Sequence, residues 1–200
     1  MEIPDIHVLK AADWQVFGTL TFRSENLTPA RRLSMWFALT RKVCKWWHVY
    51  FPELLWCLRL EQGDKTGRVH YHCLIGGLPM AAVSHPVRFQ RENGSWDIGN
   101  RLTHSMESFW RNFAVSEKVP VERRRVSRFS IYDARLNGAA YITKCLGIEE
   151  EGRYMKDVYE SGKFGLGDCR LILSDSLSKL AACRSGANTR STDVRRLVAV

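Results

Sequence analysis

Two hundred residues, 45% hydrophobic and 11% aromatic, are enough for one domain with its own core, and no repeat or low-complexity tract divides them. Lys and Arg outnumber Asp and Glu by 30 to 21, giving +9 and a pI near 9.5, which excludes an acidic solvating chain and suits a surface that attracts phosphate backbones. No apolar stretch approaches a bilayer span, and MEIPDIHVLK lacks the basic start and apolar block of a secretory leader, so an intracellular protein without membrane contact is expected.

Val16 to Phe22, VFGTLTF, reads as a strand with Val16, Gly18, Leu20 and Phe22 on one face and Phe17, Thr19 and Thr21 on the other. Thr28 followed by Pro29 is a helix start, after which Leu33, Trp36, Phe37, Thr40, Cys44 and Trp47 recur at helical spacing. Arg31, Arg32, Arg41, Lys42 and Lys45 fall largely off that stripe, as a solvated face would. WCLRLE, residues 56 to 61, alternates again, and the polar QGDKTGR leads into RVHYHCLIGG, so the two segments form a hairpin.

Alternation in that second strand puts His70, His72 and Leu74 on one face and Val69, Tyr71, Cys73 and Ile75 on the other. Joining the apolar face to Trp56, Leu58 and Leu60 leaves Cys57, Arg59 and Glu61 beside the two histidines. A carboxylate therefore converges on two imidazoles. An HxH pair arises by chance about 0.2 times in a chain of this composition, so these residues alone leave a metal site and a pair of satisfied structural histidines both open.

Pro79 to Asn100 carries Pro, Gly and mixed charge and reads as a loop or irregular insertion. A helix from about Thr103 to Ala114 follows, with Met106, Phe109, Trp110 and Phe113 as its apolar stripe. A strand is expected over Val126 to Tyr132, entered through Arg123, Arg124 and Arg125 and carrying Arg128, the densest basic cluster and a candidate phosphate-contacting edge. Asp133 is placed to cap a helix reaching Cys145 or Leu146 with Gly147 as its stop, on which Tyr141 and Lys144 lie three residues apart beside small alanines. CRLILS reads as a strand and Ser174 to Arg184 as a short helix. These place the folded domain over residues 1–184 and a flexible tail over 185–200. Six scattered cysteines without a CxxC pair read as reduced packing residues.

The order of TLTF at 19 to 22, then Glu61, then His70-Tyr71-His72, then Tyr141-Ile-Thr-Lys144 resembles the HUH endonuclease superfamily, specifically the rolling-circle replication initiators (Rep proteins) of small plasmids and single-stranded DNA phages and viruses. The resemblance covers about residues 14 to 147. It implies an α+β fold with a central antiparallel sheet of about five strands and helices packed on one face, RRM-like or ferredoxin-like. It further implies that His70, His72 and Glu61 hold a divalent metal ion, Mn²⁺ or Mg²⁺ with Zn²⁺ also compatible, and that Tyr141 is the nucleophile of a covalent 5′-phosphotyrosine intermediate assisted by Lys144. Thr19 and Thr21 would belong to the DNA-facing sheet, with Arg59, Arg123, Arg124, Arg125 and Arg128 as further DNA contacts.

Implied partners are single-stranded DNA at a replication origin near a hairpin, and, because no G-x-x-x-x-G-K-[ST] sequence is present, either a host helicase or a missing helicase segment for unwinding. Cys145 stands four residues after Tyr141, where some phage initiators carry a second tyrosine, so closing a circle calls for a second protomer in a transient dimer, or another nucleophile. The TLTF wording is closer to the bacterial plasmid and phage branch, hence an expected bacterial cytoplasm. Competing readings are a single-tyrosine HUH transposase or relaxase, and a non-catalytic RRM-like module that binds single-stranded nucleic acid without metal.

Overall fold

A computed structural model describes residues 9, 12–22, 27–62, 69–91, 94–115, 127–136, 138–143 and 171–184. Strand β1 (Trp14–Thr21) leads to helix α1 (Pro29–Trp47), a 3₁₀ turn (Phe51–Glu53), β2 (Leu55–Gln62) and β3 (Val69–Gly76). A short helix α2 (Met80–Val83) and a hairpin of β4 (Val87–Gln90) and β5 (Trp96–Gly99) precede helix α3 (Arg101–Val115) and β6 (Arg128–Ile131). A second 3₁₀ turn (Ala134–Leu136), α4 (Gly138–Thr143), β7 (Leu171–Leu173) and α5 (Asp175–Arg184) follow.

Five strands form one antiparallel sheet in the order β6-β1-β3-β2-β7. Its first four members come from a β-α-β-β-α-β sequence, β1-α1-β2-β3-α3-β6, and the order 6-1-3-2 is the ferredoxin-like arrangement expected from the sequence, with β7 added at one edge. This makes β3, the histidine strand, the middle of five.

One face of the sheet carries the larger core. Val16, Leu20, Trp56, Leu58, Tyr71, Cys73, Ile75 and Phe129 pack under Met35, Trp36, Leu39 and Val43 of α1 and Leu102, Met106 and Trp110 of α3. The start of α1 is as read from sequence, since the Thr28 side chain accepts from Arg31 N at 3.2 Å and Pro29 opens the first turn. Its buried stripe is rotated from the expected one. Leu33, Phe37 and Trp47 are only half-buried, whereas Met35, Leu39 and Val43 are fully enclosed and Arg32 is buried, donating to Leu27 O at 2.6 Å. So many aromatics surround this stripe that spacing alone could not choose between neighbouring faces.

A second, smaller core lies on the other face, where Cys57, Leu74 and Phe17 meet Ala139 and Ile142 of α4 and Leu177 of α5. Helices α1 and α3 thus share one face, and α4 and α5 cover part of the opposite face. A bulge at Gln15 makes this two-sided use of β1 workable: Trp14 pairs with Gly76 but Val16 with Ile75, so Trp14 joins the second core while Val16 joins the first. The bulged Gln15 side chain brackets Leu78, accepting from its N at 2.7 Å and donating to its O at 2.8 Å.

The segment expected to be irregular, Pro79 to Asn100, instead holds α2 and the β4–β5 hairpin. Four-residue strands give too few alternations to stand out in sequence. Their turn closes through Arg91 N to Ser95 O and Gly94 N to Arg91 O, both 2.8 Å, with Gly94 at φ +80°. Asn100 then caps α3 reciprocally with Thr103: its side chain accepts from Thr103 N, and its own N–H donates to Thr103 Oγ1. Asp133 caps the 3₁₀ turn through Arg135 N rather than opening one long helix, and α4 begins separately at Gly138.

Cys44, Cys57 and Cys73 are free and buried, as expected of packing thiols. Burial pushes Cys57 up to about 12 from an ordinary 9.0 and Cys73 well above it. The folded state therefore favours the neutral thiols. Their contribution to stability is complete below pH 9 and falls as pH rises above it, for Cys57 through about 12. Native protein should leave Cys57 and Cys73 unalkylated by iodoacetamide at about pH 8 and urea-unfolded protein should not, a contrast that peptide mass mapping reads directly. Among the described residues no helix is long and apolar enough to cross a membrane.

Candidate functional site

The register gathers residues from four strands into two adjacent rows. Arg128, Thr19, His72 and Arg59 stand side by side across β6, β1, β3 and β2, and Thr21, His70 and Glu61 form the next row across β1, β3 and β2. Directly opposed residues share a face in an antiparallel sheet, so a pattern of period two in each strand sums to one polar surface. The sequence leaves the exact pairing open but requires any register that joins the apolar faces to keep Glu61 on the histidine side, and the pairing of Glu61 with His70 is one of these.

Within that surface the two imidazoles face each other edge to face, with ring centroids 4.8 Å apart and planes at 89°. His70 Nε2 and His72 Nε2 are 3.1 Å apart. Two imidazole nitrogens about 2.1 Å from one ion lie about 3.0 Å apart at a right angle and about 3.4 Å apart at the tetrahedral angle, so this separation fits two ligands of a single cation. His72 is fixed on its far side, where Nδ1 meets Thr19 Oγ1 at 3.2 Å and the ring stacks on Phe17 at 5.9 Å. The Thr19 hydroxyl can donate to or accept from Nδ1, and holding that nitrogen aims Nε2 at His70, the arrangement found behind metal-bound histidines. His72 is 6% exposed and His70 half-buried.

Helix α4, which contains Tyr141, is tied to the same surface at both ends. Arg59, opposite His72 in the register, donates from Nη1 to Ile142 O at 2.7 Å. At the other end, Ala139 N donates to the Tyr132 hydroxyl at 3.3 Å, and a Cβ at Gly138 would lie 3.0 Å from the Tyr132 ring and 3.1 Å from that of Phe17. Glycine is what lets the helix approach the phenylalanine that stacks on His72. Ala139 and Ile142 are buried in the core around Leu74 and Cys57, two residues along from the histidine row.

Arg59, expected to contact DNA, is committed here to the backbone of α4. It is 7% exposed, with its guanidinium on a main-chain carbonyl. It positions a helix. Arg59→Met should lower stability by about 1–3 kcal/mol, because the buried Ile142 carbonyl loses its donor, and urea denaturation would detect this.

Thr19, Thr21 and Arg128 are half-buried along the surface. The end of β1 is set by Thr21 N donating to Ser127 Oγ at 3.0 Å and by Trp110 Nε1 donating to Thr21 O at 3.1 Å. Glu61 is placed by its register opposite His70. Among the described residues no three His, Cys, Asp or Glu side chains converge, and the Glu61 side chain is not among those described. Tyr141 is placed by the backbone of α4, while Lys144, Arg123, Arg124, Arg125 and the expected tail at 185–200 lie outside the described residues. Sequence reasoning missed Phe17 as the ring behind His72 and Gly138 as the close approach. The signal available was faint: Phe17 alternates with Thr19, and Gly138 precedes two alanines.

No family model, curated protein or solved structure matches this chain.

Proposed function

We propose that this chain nicks and rejoins single-stranded DNA as an HUH-type rolling-circle replication initiator, through a 5′-phosphotyrosyl intermediate on Tyr141. The observation that carries the reading is a convergence on one sheet face: the His70–His72 pair on the middle strand, and a Tyr141-bearing helix that Arg59 and Gly138 hold against that face.

His70, His72 and Glu61 are the residues that would hold a cation, and two nitrogens with one carboxylate suit Mn²⁺ or Mg²⁺ while also accepting Zn²⁺. Such an ion would polarise the scissile phosphate and offset its developing charge. Thr19 holds His72 at Nδ1 and Phe17 stacks on its ring, so that Nε2 stays aimed at His70. The Tyr141 phenolate oxygen attacks phosphorus, the P–O3′ bond breaks, and the departing 3′-oxygen takes up a proton to become a free hydroxyl. One phosphodiester is exchanged for another. Rejoining is the same step reversed, with no nucleotide cofactor. Lys144 supplies a point charge toward the phosphate. With a single tyrosine in the motif, strand transfer to close a circle uses a second protomer or another nucleophile.

The test is incubation with single-stranded oligonucleotides tiling the replicon's origin, labelled in turn at either end, with Mn²⁺ or EDTA. A free 3′-hydroxyl on the upstream product and protein on the downstream 5′ end support the reading. Binding without cleavage under any metal would leave the single-strand binding module as the better account.

A further inference from the structure

The row of residues at the candidate site does not stop at the sheet edge. Arg128, last in the row through Thr19 to His72, reaches Ser95 Oγ in the β4–β5 turn at 3.5 Å, and Ser130, two residues along on the same face of β6, donates to Asp97 of β5. Arg91 donates to Asp97 at 2.6 Å and Glu107 at 2.8 Å, and Glu107 also accepts from Phe129 N at 3.0 Å. These bonds fix the hairpin to the edge of β6, two interstrand steps, about 10 Å, from the histidine strand. They also consume both acids facing that junction, Asp97 and Glu107.

What the hairpin then offers to solvent is an aromatic and a cation. Trp96 is 58% exposed, and the Arg88 guanidinium lies over its ring at 4.7 Å. Neither contributes to a core. A large exposed indole with its own arginine, on a rigid two-stranded ribbon, is an arrangement that stacks a nucleic-acid base and receives the adjoining phosphate. The chain's charge of +9 favours that occupant over an acid-poor protein surface.

We propose that the Arg88–Trp96 pair is a second contact for single-stranded DNA, holding a base of the strand that runs from the histidine pair across Thr19 and Arg128 to the β4–β5 hairpin. The inference rests on the proposed function for the identity of the strand. It assigns grip on flanking nucleotides to a segment that takes no part in bond breaking.

Anisotropy of a labelled oligodeoxythymidine, measured in EDTA so that no cleavage intervenes, tests it. Trp96→Ala should weaken binding about 5- to 150-fold, the range for loss of one stacked base, while Trp96→Phe stays near wild type. Arg88→Gln should weaken binding and flatten the salt dependence. Unchanged binding by Trp96→Ala and Arg88→Gln, with wild type binding normally, overturns the hairpin contact and leaves the nicking proposal standing. Loss of self-association in Trp96→Ala without any change in DNA binding overturns it in favour of a contact between copies. Trp96-dependent binding by a wild-type chain that forms no adduct supports the hairpin contact while the nicking proposal fails. Absence of wild-type binding overturns the hairpin contact and leaves the nicking proposal to its own test on origin oligonucleotides with Mn²⁺.

Discussion

Tyr141→Phe is expected to leave a folded protein that binds single-stranded DNA and forms no covalent adduct, a loss on the order of 10³-fold or more. The substitution removes one oxygen. Among the described residues, α4 is seated by Ala139 and Ile142 in the core, the Arg59 guanidinium on Ile142 O, and the Tyr132 hydroxyl at Ala139 N. Fold and chemistry therefore separate in this variant, and quantifying the covalent band beside anisotropy in the same samples reads both. The Lys144 ammonium cannot substitute, because it has no lone pair with which to attack phosphorus.

His72→Ala is expected to lower metal-dependent cleavage by about 10²- to 10⁴-fold, corresponding to the several kcal/mol that a positioned cation supplies, and to reduce Mn²⁺ affinity in calorimetric titration. His72 is the better of the two histidines to remove, since its Nδ1 is already committed to Thr19 and its ring to Phe17, leaving Nε2 as the end aimed at His70. EDTA added to wild type should reproduce the loss, and excess Mn²⁺ should rescue wild type but not the variant. A variant that binds Mn²⁺ as tightly as wild type would make the 3.1 Å pair a structural hydrogen bond.

Much of this surface was legible in the sequence because strand alternation is a two-state problem. Once Trp56, Leu58 and Leu60 were assigned to the core, Glu61 had to share a side with His70, and the register obeys that. The ferredoxin-like order was likewise reachable from strand, helix, hairpin, helix, strand. Other features depended on tertiary context. Arg59 looks like a DNA contact in a basic chain, and only the packing of α4 reveals a buried carbonyl in need of a donor. The α1 stripe was misplaced by one position because its aromatics border the buried face on both sides. The β4–β5 hairpin is too short to declare itself, and bonds to β6 and α3, far away in sequence, are what secure it.

The most direct measurement is mass spectrometry of tryptic peptides after reaction with origin single-stranded DNA, Mn²⁺ and nuclease trimming. Cleavage after Arg135 and Lys144 releases Leu136 to Lys144, which contains Tyr141 as its one tyrosine. The account predicts this peptide heavier by a nucleotide 5′-phosphate on the tyrosine, in samples with metal and not in those with EDTA. A nucleotide on a different residue, or none on any peptide while the DNA is cut, would contradict it.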